Sequence, residues 1–214
     1  MEKTVADRKK YLRTMLGQCR ASLTPEFARI CSTAIQRRLM ATGCYRAARA
    51  IALYSPIRNE VATAMVAADA ISSGKEVLFP RLGRDRAAMA MVRVHRLSEL
   101  VSGAHGISEP PADGDVVAPA DLAGALIVVP GVAFGPQGQR LGRGGGHYDR
   151  FIAALPREAI TVGLAYSFQL LDGLPQEAHD RRLHYVITES ALIRALEPQA
   201  HVYAEEAGRG GTPG

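Results

Sequence analysis

The feature that most constrains this chain is a glycine-rich segment at 140–149, Arg-Leu-Gly-Arg-Gly-Gly-Gly-His-Tyr-Asp. An apolar run, Ala125–Val129, precedes it and ends in Pro130-Gly131, which predicts a buried strand. The residues that follow, Tyr148–Leu155, have the spacing of a short amphipathic helix. The pattern therefore predicts a glycine loop that joins a strand to the N-terminus of a helix.

Such a loop has the chemistry of a phosphate site. Glycines lack Cβ atoms, so several backbone N–H groups can converge on one anion, and a helix N-terminus adds further donors. Arg140 and Arg143 add charges that match phosphate oxygens, and Asp149 beside a phosphate indicates a bound cation such as Mg²⁺. The alternative is a plain glycine turn with solvated charges. The loop is neither a Walker A sequence nor a Gly-x-Gly-x-x-Gly fingerprint.

The rest of the chain alternates helix and strand patterns. We expect helices at about 6–22, 24–41, 62–72 and 190–196, and strands at 50–54, 76–79, 88–94, 126–129, 160–165 and 185–188. The first helix is expected to be basic and to carry Tyr11, Leu12, Met15, Leu16 and Cys19 on one face. This alternation predicts an α/β protein, a single-domain three-layer α/β/α sandwich around a mostly parallel sheet. The domain should span 1–198, and 199–214 should be a disordered tail.

Ligands of such sheets bind at the carboxyl ends of the strands. Three segments are expected to meet there: the loop at 55–60, the stretch from Pro130 to His147, and the segment around His179-Asp180.

Composition limits the class of protein. The chain has 214 residues, 47% of them hydrophobic, which excludes global disorder. The net charge of +5 comes without a Lys/Arg-rich run or basic-aromatic interleaving, so we favour small anionic ligands and no nucleic acid. No segment has the pattern of a membrane span or a signal peptide, which predicts a cytoplasmic protein without a membrane partner. Cys19, Cys31 and Cys44 are expected to be reduced, buried thiols.

Several segments together resemble the 5-formyltetrahydrofolate cyclo-ligase family, whose members are also called methenyltetrahydrofolate synthetases. The most specific match is Val129–Phe134 followed by Arg140–Phe151. The further matches are Lys9–Arg13, Asn59–Thr63, Gly163–Gln169 and His179–Leu183. The similarity extends from about Arg8 to Glu189, which is nearly the whole chain.

The resemblance implies an enzyme that uses ATP and Mg²⁺ to convert 5-formyltetrahydrofolate to 5,10-methenyltetrahydrofolate, releasing ADP and phosphate. The γ-phosphoryl group would first pass to the formyl oxygen, and N10 of the folate would then attack the activated carbon. Phosphoryl transfer depends on positioning and charge neutralisation, which glycine N–H groups, arginines, Lys9 and Mg²⁺ can supply. The two small molecules would be its partners, and we expect a monomer.

The resemblance also implies roles for individual residues, with Arg143 and Lys9 as the catalytic ones. The implied ATP contacts are Lys9, Lys10, Arg13, Arg140, Leu141, Gly142, Arg143, Gly144, Gly145, Gly146, His147 and Tyr148. The implied folate contacts are Ser55, Glu60, Arg143, Gly144, Gly145, Gly146 and His147. The implied Mg²⁺ ligands are Asp149 and Asp180. His147 departs from the family, which usually carries a tyrosine at this position.

Simpler interpretations of these residues stay open. The cations near position 10 could form a solvated helix face, Glu60 could begin a helix, and Asp180 could pair with Arg181 or Arg182. The competing functional class is a non-catalytic relative that binds folate or nucleotide, or a relative that acts on RNA. Both aspartates are present, which argues against a degenerate copy, and RNA-binding motifs are missing.

Overall fold

The computed structural model describes residues 4–83, 89–103 and 107–195. The helices are α1 (Val5–Ala21), α2 (Pro25–Met40), α3 (Gly43–Ala47), α4 (Ala64–Ser72) and α5 (His147–Ala153). The strands are β1 (Ala50–Ala52), β2 (Glu76–Leu82), β3 (Met89–Arg93), β4 (Val101–Ser102), β5 (Ser108–Glu109), β6 (Val116–Val117), β7 (Leu126–Val129), β8 (Ala133–Phe134), β9 (Arg140–Leu141), β10 (Ile160–Leu164), β11 (Tyr185–Ile187) and β12 (Leu192–Arg194). In the described part of the chain, no helix combines the length and apolar character that a membrane crossing requires.

Threonine caps begin the first two helices. The Thr4 hydroxyl accepts a hydrogen bond from the Asp7 amide at 3.1 Å, and the Asp7 carboxylate accepts one from the Thr4 amide at 3.2 Å. The Thr24 hydroxyl accepts from the Phe27 amide at 3.2 Å, and Pro25 occupies the first turn, where a missing N–H costs nothing. The start of α2 is therefore where the sequence predicts it.

An eight-stranded sheet lies at the centre, in the order β12-β11-β10-β7-β1-β2-β3-β6. The five strands from β11 to β2 pair in parallel, and the outer strands β12, β3 and β6 pair antiparallel. Ile51 of β1 lies beside Val77 on one side and Leu126 on the other. The predicted α/β fold with a mostly parallel sheet is confirmed.

Alternate residues of the central strands face two different cores. Leu126 and Val128 join the core that includes residues of α2 and α4, whereas Ile127 and Val129 join the core that includes Phe151 of α5. This follows from the period of two of a strand, and β7 is apolar throughout because both of its faces are covered. The three layers are therefore helix, sheet and helix.

The C-terminal segment differs from the prediction. A helix over 190–196 is wrong, because Leu192–Arg194 forms strand β12 antiparallel to β11. The Thr188 hydroxyl accepts hydrogen bonds from the amides of Ser190 and Ala191 at 3.3 and 3.0 Å, which closes a tight turn and sends the chain back along the sheet edge. The expected tail at 199–214 lies outside the described residues.

The predicted face of α1 is buried only in part: Leu16 is buried, and Leu12 and Met15 pack against the same small apolar cluster. Tyr11 is 58% exposed. Cys19 is exposed and Cys44 is only partly buried, so the prediction of three buried thiols is wrong for Cys19 and holds fully for Cys31 alone. The buried residues of α1 are Lys9, Leu16 and Arg20. Two of the three are charged, because this face of the helix lies against polar loops as well as against a small apolar cluster around Leu16.

Gly163 in β10 is expected to tolerate no side chain. A Cβ atom at this position would overlap the Phe134 ring, with Cδ1 at 2.8 Å, and a Leu183 methyl group at 3.0 Å. We predict that Gly163→Ala lowers the free energy of unfolding in urea by about 1–3 kcal/mol, because overpacking a dense core displaces its neighbours. The matched control is Gly17→Ala in α1, where a Cβ has no neighbour within 4 Å. It should stabilise by about 0.5–1 kcal/mol, and equal effects of the two substitutions would contradict the packing argument.

The cysteines should react in a fixed order. Burial raises the pKa of the Cys31 thiol, and the Glu189 carboxylate adds to the shift, whereas Cys19 is exposed. Because the thiolate is the reactive form, iodoacetamide at pH 8 should modify Cys19 rapidly and Cys31 only after unfolding in urea. Peptide mass spectrometry checks the order. Cys19→Ser should abolish the fast reaction, and rapid native labelling of Cys31 would show the core to be open.

Candidate active site

A cavity of about 360 Å³ lies at the carboxyl ends of β1 and β7. The three segments expected to meet, at 55–60, 130–147 and 177–180, all contribute to its wall. Of the residues that the family resemblance implicates, every one except Lys10 lines this cavity. Lys10 is exposed on α1 and does not line it.

The glycine loop has backbone conformations that require glycine. The β8–β9 hairpin leads into the loop at Gly142, and α5 begins at His147, so the predicted frame is present with a short hairpin added. Gly144 has φ 104° and Gly146 has φ 65°, a region that L-residues rarely enter. Gly146 is also the N-cap residue of α5. Three glycines without side chains, 144–146, therefore lead directly into the first turn of α5.

Arg13 of α1 supports this loop from the side. Its Nε atom donates a hydrogen bond to the Gly142 carbonyl at 2.9 Å. Its guanidinium carbon lies 3.6 Å from the place where a Cβ atom of Gly144 would stand. A cation from the first helix is thus held against the glycine loop, although 129 residues separate Arg13 from Gly142 in sequence.

Arg140 and Asp149 form an inner ion pair of the cavity wall. Arg140 is 6% exposed, and its Nη2 lies 2.8 Å from Asp149 Oδ1. The Arg181 amide donates to the same carboxylate oxygen at 3.3 Å, and the Arg140 guanidinium lies 5.9 Å from the centre of the Tyr148 ring. Arg140 is therefore engaged by the protein itself, with a carboxylate and an aromatic face as its partners.

Glu60 is a buried carboxylate between two arginines. Its side chain is 6% exposed; Oε1 accepts a hydrogen bond from Arg143 Nη2 at 2.9 Å and lies 3.7 Å from Arg20 Nη1. Oε2 accepts from the Ile57 amide at 3.1 Å. Glu60 therefore does not begin a helix, since α4 starts at Ala64. Burial lowers the pKa of the Arg20 guanidinium, while the charge of Glu60 opposes the shift.

Lys9 bridges two carboxylates at the other end of the cavity. Its Nζ lies 2.6 Å from Asp180 Oδ2 and 2.7 Å from Glu177 Oε2. Burial disfavours the ammonium ion, but the hydrogen bonds and charges of the two carboxylates outweigh burial and raise the pKa of Lys9. Burial likewise opposes ionisation of Asp180, yet Lys9 and the Glu177 amide hold its pKa below the ordinary value. Lys9 is thus not a solvated surface charge, and Asp180 pairs with Lys9.

The remaining candidates also line the cavity. Ser55 donates a hydrogen bond to the Ser108 carbonyl. His147 Nδ1 lies 3.1 Å from Arg150 Nη2; burial and the positive charge of Arg150 lower the pKa of His147, which favours the neutral ring. The buried Tyr148 hydroxyl has no protein partner among the described residues. His147 therefore presents a neutral imidazole beside the loop.

Sequence reasoning missed Arg20 and Glu177. Arg20 lies seven residues after Arg13, so it shares a helix face with Lys9 and Arg13, and this spacing could have revealed it. Glu177 has no comparable signal, because its contact with Lys9 spans 168 residues.

The fold and cavity define a class of protein: an α/β protein in which a glycine loop, several cations and two aspartates line one ligand-sized cavity. Residues 5–189 match the family model described as the 5-formyltetrahydrofolate cyclo-ligase family. The chain therefore belongs to the 5-formyltetrahydrofolate cyclo-ligase family.

Individual relatives agree with this assignment. The 5-formyltetrahydrofolate cyclo-ligase of Escherichia coli K12 is 34% identical over 180 residues, which cover 83% of this chain and 98% of the relative. The mouse 5-formyltetrahydrofolate cyclo-ligase is 29% identical over 196 residues, covering 88% and 97%. The solution structure of the Aquifex aeolicus 5,10-methenyltetrahydrofolate synthetase superposes with a TM-score of 0.78 at 32% identity, covering 94% of this chain and 99% of that one.

Gly144 provides a test of the loop as a phosphate site. Gly144→Ala places a side chain at φ 104°, a strain of about 1–3 kcal/mol that the loop relieves by changing shape. We predict that the Kd for Mg-ATP, measured by calorimetry, rises by about tenfold or more, since 1.4 kcal/mol corresponds to one factor of ten. The matched control is Gly173→Ala, which has φ 67° and open space but does not line this cavity. An unchanged Kd for Gly144→Ala would exclude the loop from ATP binding.

Proposed function

We propose that this protein is an ATP-dependent 5-formyltetrahydrofolate cyclo-ligase that forms 5,10-methenyltetrahydrofolate, ADP and phosphate. The observation that carries the proposal is the meeting of the glycine loop, the α1 cations and Glu60 in one cavity of a chain from this family. The proposal includes residues 1–198 as the catalytic domain and a cytoplasmic, monomeric protein that acts on two small molecules without nucleic acid or membrane.

The glycine loop and α1 are the proposed ATP site. Backbone amides at the start of α5 and the loop receive the phosphates, and Arg13 and Lys9 neutralise their charge. Lys9 leaves Glu177 and Asp180 to do so, and its flexible stem allows that movement. Binding ATP thus replaces ion pairs within the protein by ion pairs with the nucleotide.

The folate is proposed to lie between Glu60 and an apolar wall. A carboxylate only accepts hydrogen bonds, which suits the N–H groups of a pterin ring. The cavity also has apolar lining residues on which a flat ring can pack: Ile57, Pro80, Leu82, Met89 and Ile107. In this proposal the formyl group faces the glycine loop, since Arg143 of that loop contacts Glu60.

The reaction then needs two bond exchanges. A bond forms between the formyl oxygen and the γ-phosphorus while the bond from that phosphorus to ADP breaks, and the iminium-like carbon becomes electrophilic. The N10 lone pair attacks this carbon, the carbon–oxygen bond breaks, phosphate leaves, and the N10 proton passes to solvent. Arg143 is 39% exposed on the loop, so it can turn from Glu60 to the charge that develops on the phosphoryl group.

Asp149 and Asp180 are the proposed ligands of a Mg²⁺ ion. Carboxylate oxygens are donors that Mg²⁺ prefers, and both aspartates line the cavity while facing a cation at 2.8 and 2.6 Å. A bound ion would supply charge neutralisation at the phosphate oxygens. The two aspartates would hold the ion, and in the structure they pair instead with Arg140 and Lys9.

An activity assay tests the proposal. Protein, 5-formyltetrahydrofolate and Mg-ATP are mixed, and the near-ultraviolet absorbance of the methenyl product is followed. We predict product formation only with both ATP and a divalent cation, and its loss in excess chelator. Asp149→Asn should reduce turnover by about tenfold or more at low Mg²⁺ and recover in part at high Mg²⁺, because one charged ligand contact is lost.

Asp121→Asn is the matched control, since Asp121 is an exposed aspartate that does not line the cavity. It should leave both turnover and Mg²⁺ dependence unchanged. Folate or ATP binding without turnover in the wild-type protein would instead establish the non-catalytic relative. Full activity in chelator would remove the metal role of the two aspartates.

A further inference from the structure

Arg20 is a buried arginine beside the cavity that does not line it. It lies in the last turn of α1 and is 5% exposed. Its Nε donates to the Arg58 carbonyl at 2.9 Å, and its Nη1 donates to the Gly131 carbonyl at 3.4 Å. Its own carbonyl accepts from Asn59 Nδ2 at 3.1 Å. One residue therefore ties α1 to the loop before Glu60 and to the end of β7.

The loop that Arg20 holds has an unusual backbone. Arg58 and Asn59 have φ values of 48° and 56°, and they are the non-glycine residues with positive φ in the described chain. The Glu60 amide donates to the Ile57 carbonyl at 3.0 Å, which closes the turn. Two successive left-handed residues persist only where the surroundings hold them. The contacts of Arg20 with both residues provide such support.

Arg20 also balances the charge of Glu60. Glu60 Oε1 lies between Arg143, which is on the glycine loop and 39% exposed, and Arg20, whose side chain is 6% exposed. Arg20 is less free to move than Arg143, because its side chain is buried and also donates hydrogen bonds to two carbonyl groups. If Arg143 turns to a substrate, a buried carboxylate without another cation would be strongly disfavoured.

We propose that Arg20 is a positioning residue for the folate site: it fixes the Glu60 loop and stays as the counter-charge of Glu60 when Arg143 leaves. This inference rests on the proposed folate contact of Glu60. Arg20 itself touches no substrate. Glu60 thus pairs with Arg20 at all times and with Arg143 only before the ligands bind.

The test compares affinities for the two substrates. The Kd values for 5-formyltetrahydrofolate without ATP and for Mg-ATP are measured by calorimetry for the wild type, Arg20→Met, Arg20→Lys and Glu60→Gln. Arg20→Met should raise the folate Kd by about tenfold, the size of one charge-assisted contact, and change the ATP Kd by less than about twofold. Arg20→Lys keeps the charge but not the fork of donors, so it should restore part of the folate affinity.

A double-mutant cycle distinguishes positioning from general stability. If Arg20 acts through Glu60, Arg20→Met should raise the folate Kd by less than about twofold in the Glu60→Gln background. The matched control is Arg38→Met, which removes a half-buried arginine whose Nη2 donates to the Glu189 carbonyl at 3.1 Å, away from the cavity. Arg38→Met should lower the melting temperature and leave both Kd values within twofold.

Each failure has its own signature. Full additivity of Arg20→Met and Glu60→Gln, or equal losses of folate and ATP affinity, would overturn the role of Arg20 and leave Glu60 as a folate contact. A wild-type folate Kd in Glu60→Gln would overturn both assignments. Absence of turnover with intact folate binding would overturn the proposed activity alone, because the Kd series does not depend on catalysis. If Arg20→Met does not fold, the folate Kd is measured instead for Arg20→Lys, alone and combined with Glu60→Gln, and the same criteria apply.

Discussion

One face of helix α1 connects the parts of the cavity. Lys9, Arg13, Leu16 and Arg20 follow one another at spacings of four, three and four residues, which places them in a single stripe. The three cations contact Asp180, the glycine loop and the Glu60 loop, and Leu16 packs into the apolar cluster beneath them. These partners come from distant parts of the sequence, so the shape of the cavity depends on where this helix lies.

Three ion pairs also line the cavity wall. Arg140 with Asp149, Arg143 with Glu60, and Lys9 with Asp180 each bring opposite charges within 2.9 Å. In the proposed function, a phosphate or a metal ion takes the place of one partner in each pair. Arg20 is the exception, because it is bound to carbonyl groups on two sides and has no freedom to exchange.

The sequence predicted features that depend on neighbouring residues better than contacts between residues far apart in the chain. The glycine loop, the buried strand before it and the helix after it were predictable because they depend on neighbouring residues. The meeting of three loops was predictable from the rule for parallel sheets. The partners of Arg20, Lys9 and Arg140 were not, since they are chosen by three-dimensional packing. The segment at 190–196 was misassigned because pairing at a sheet edge overrode a weak helical pattern.

The distance in sequence between α1 and its partners has a consequence for biosynthesis. Arg20 meets its loop after about 38 residues, Arg13 meets Gly142 after 129, and Lys9 meets Asp180 only after 171. During translation the helix emerges early, and Arg20 can meet its loop soon afterwards, yet Arg13 and Lys9 have no partners until most of the domain has left the ribosome. The pocket is therefore assembled last, and a truncated nascent chain would contain most of the sheet but no closed ligand site.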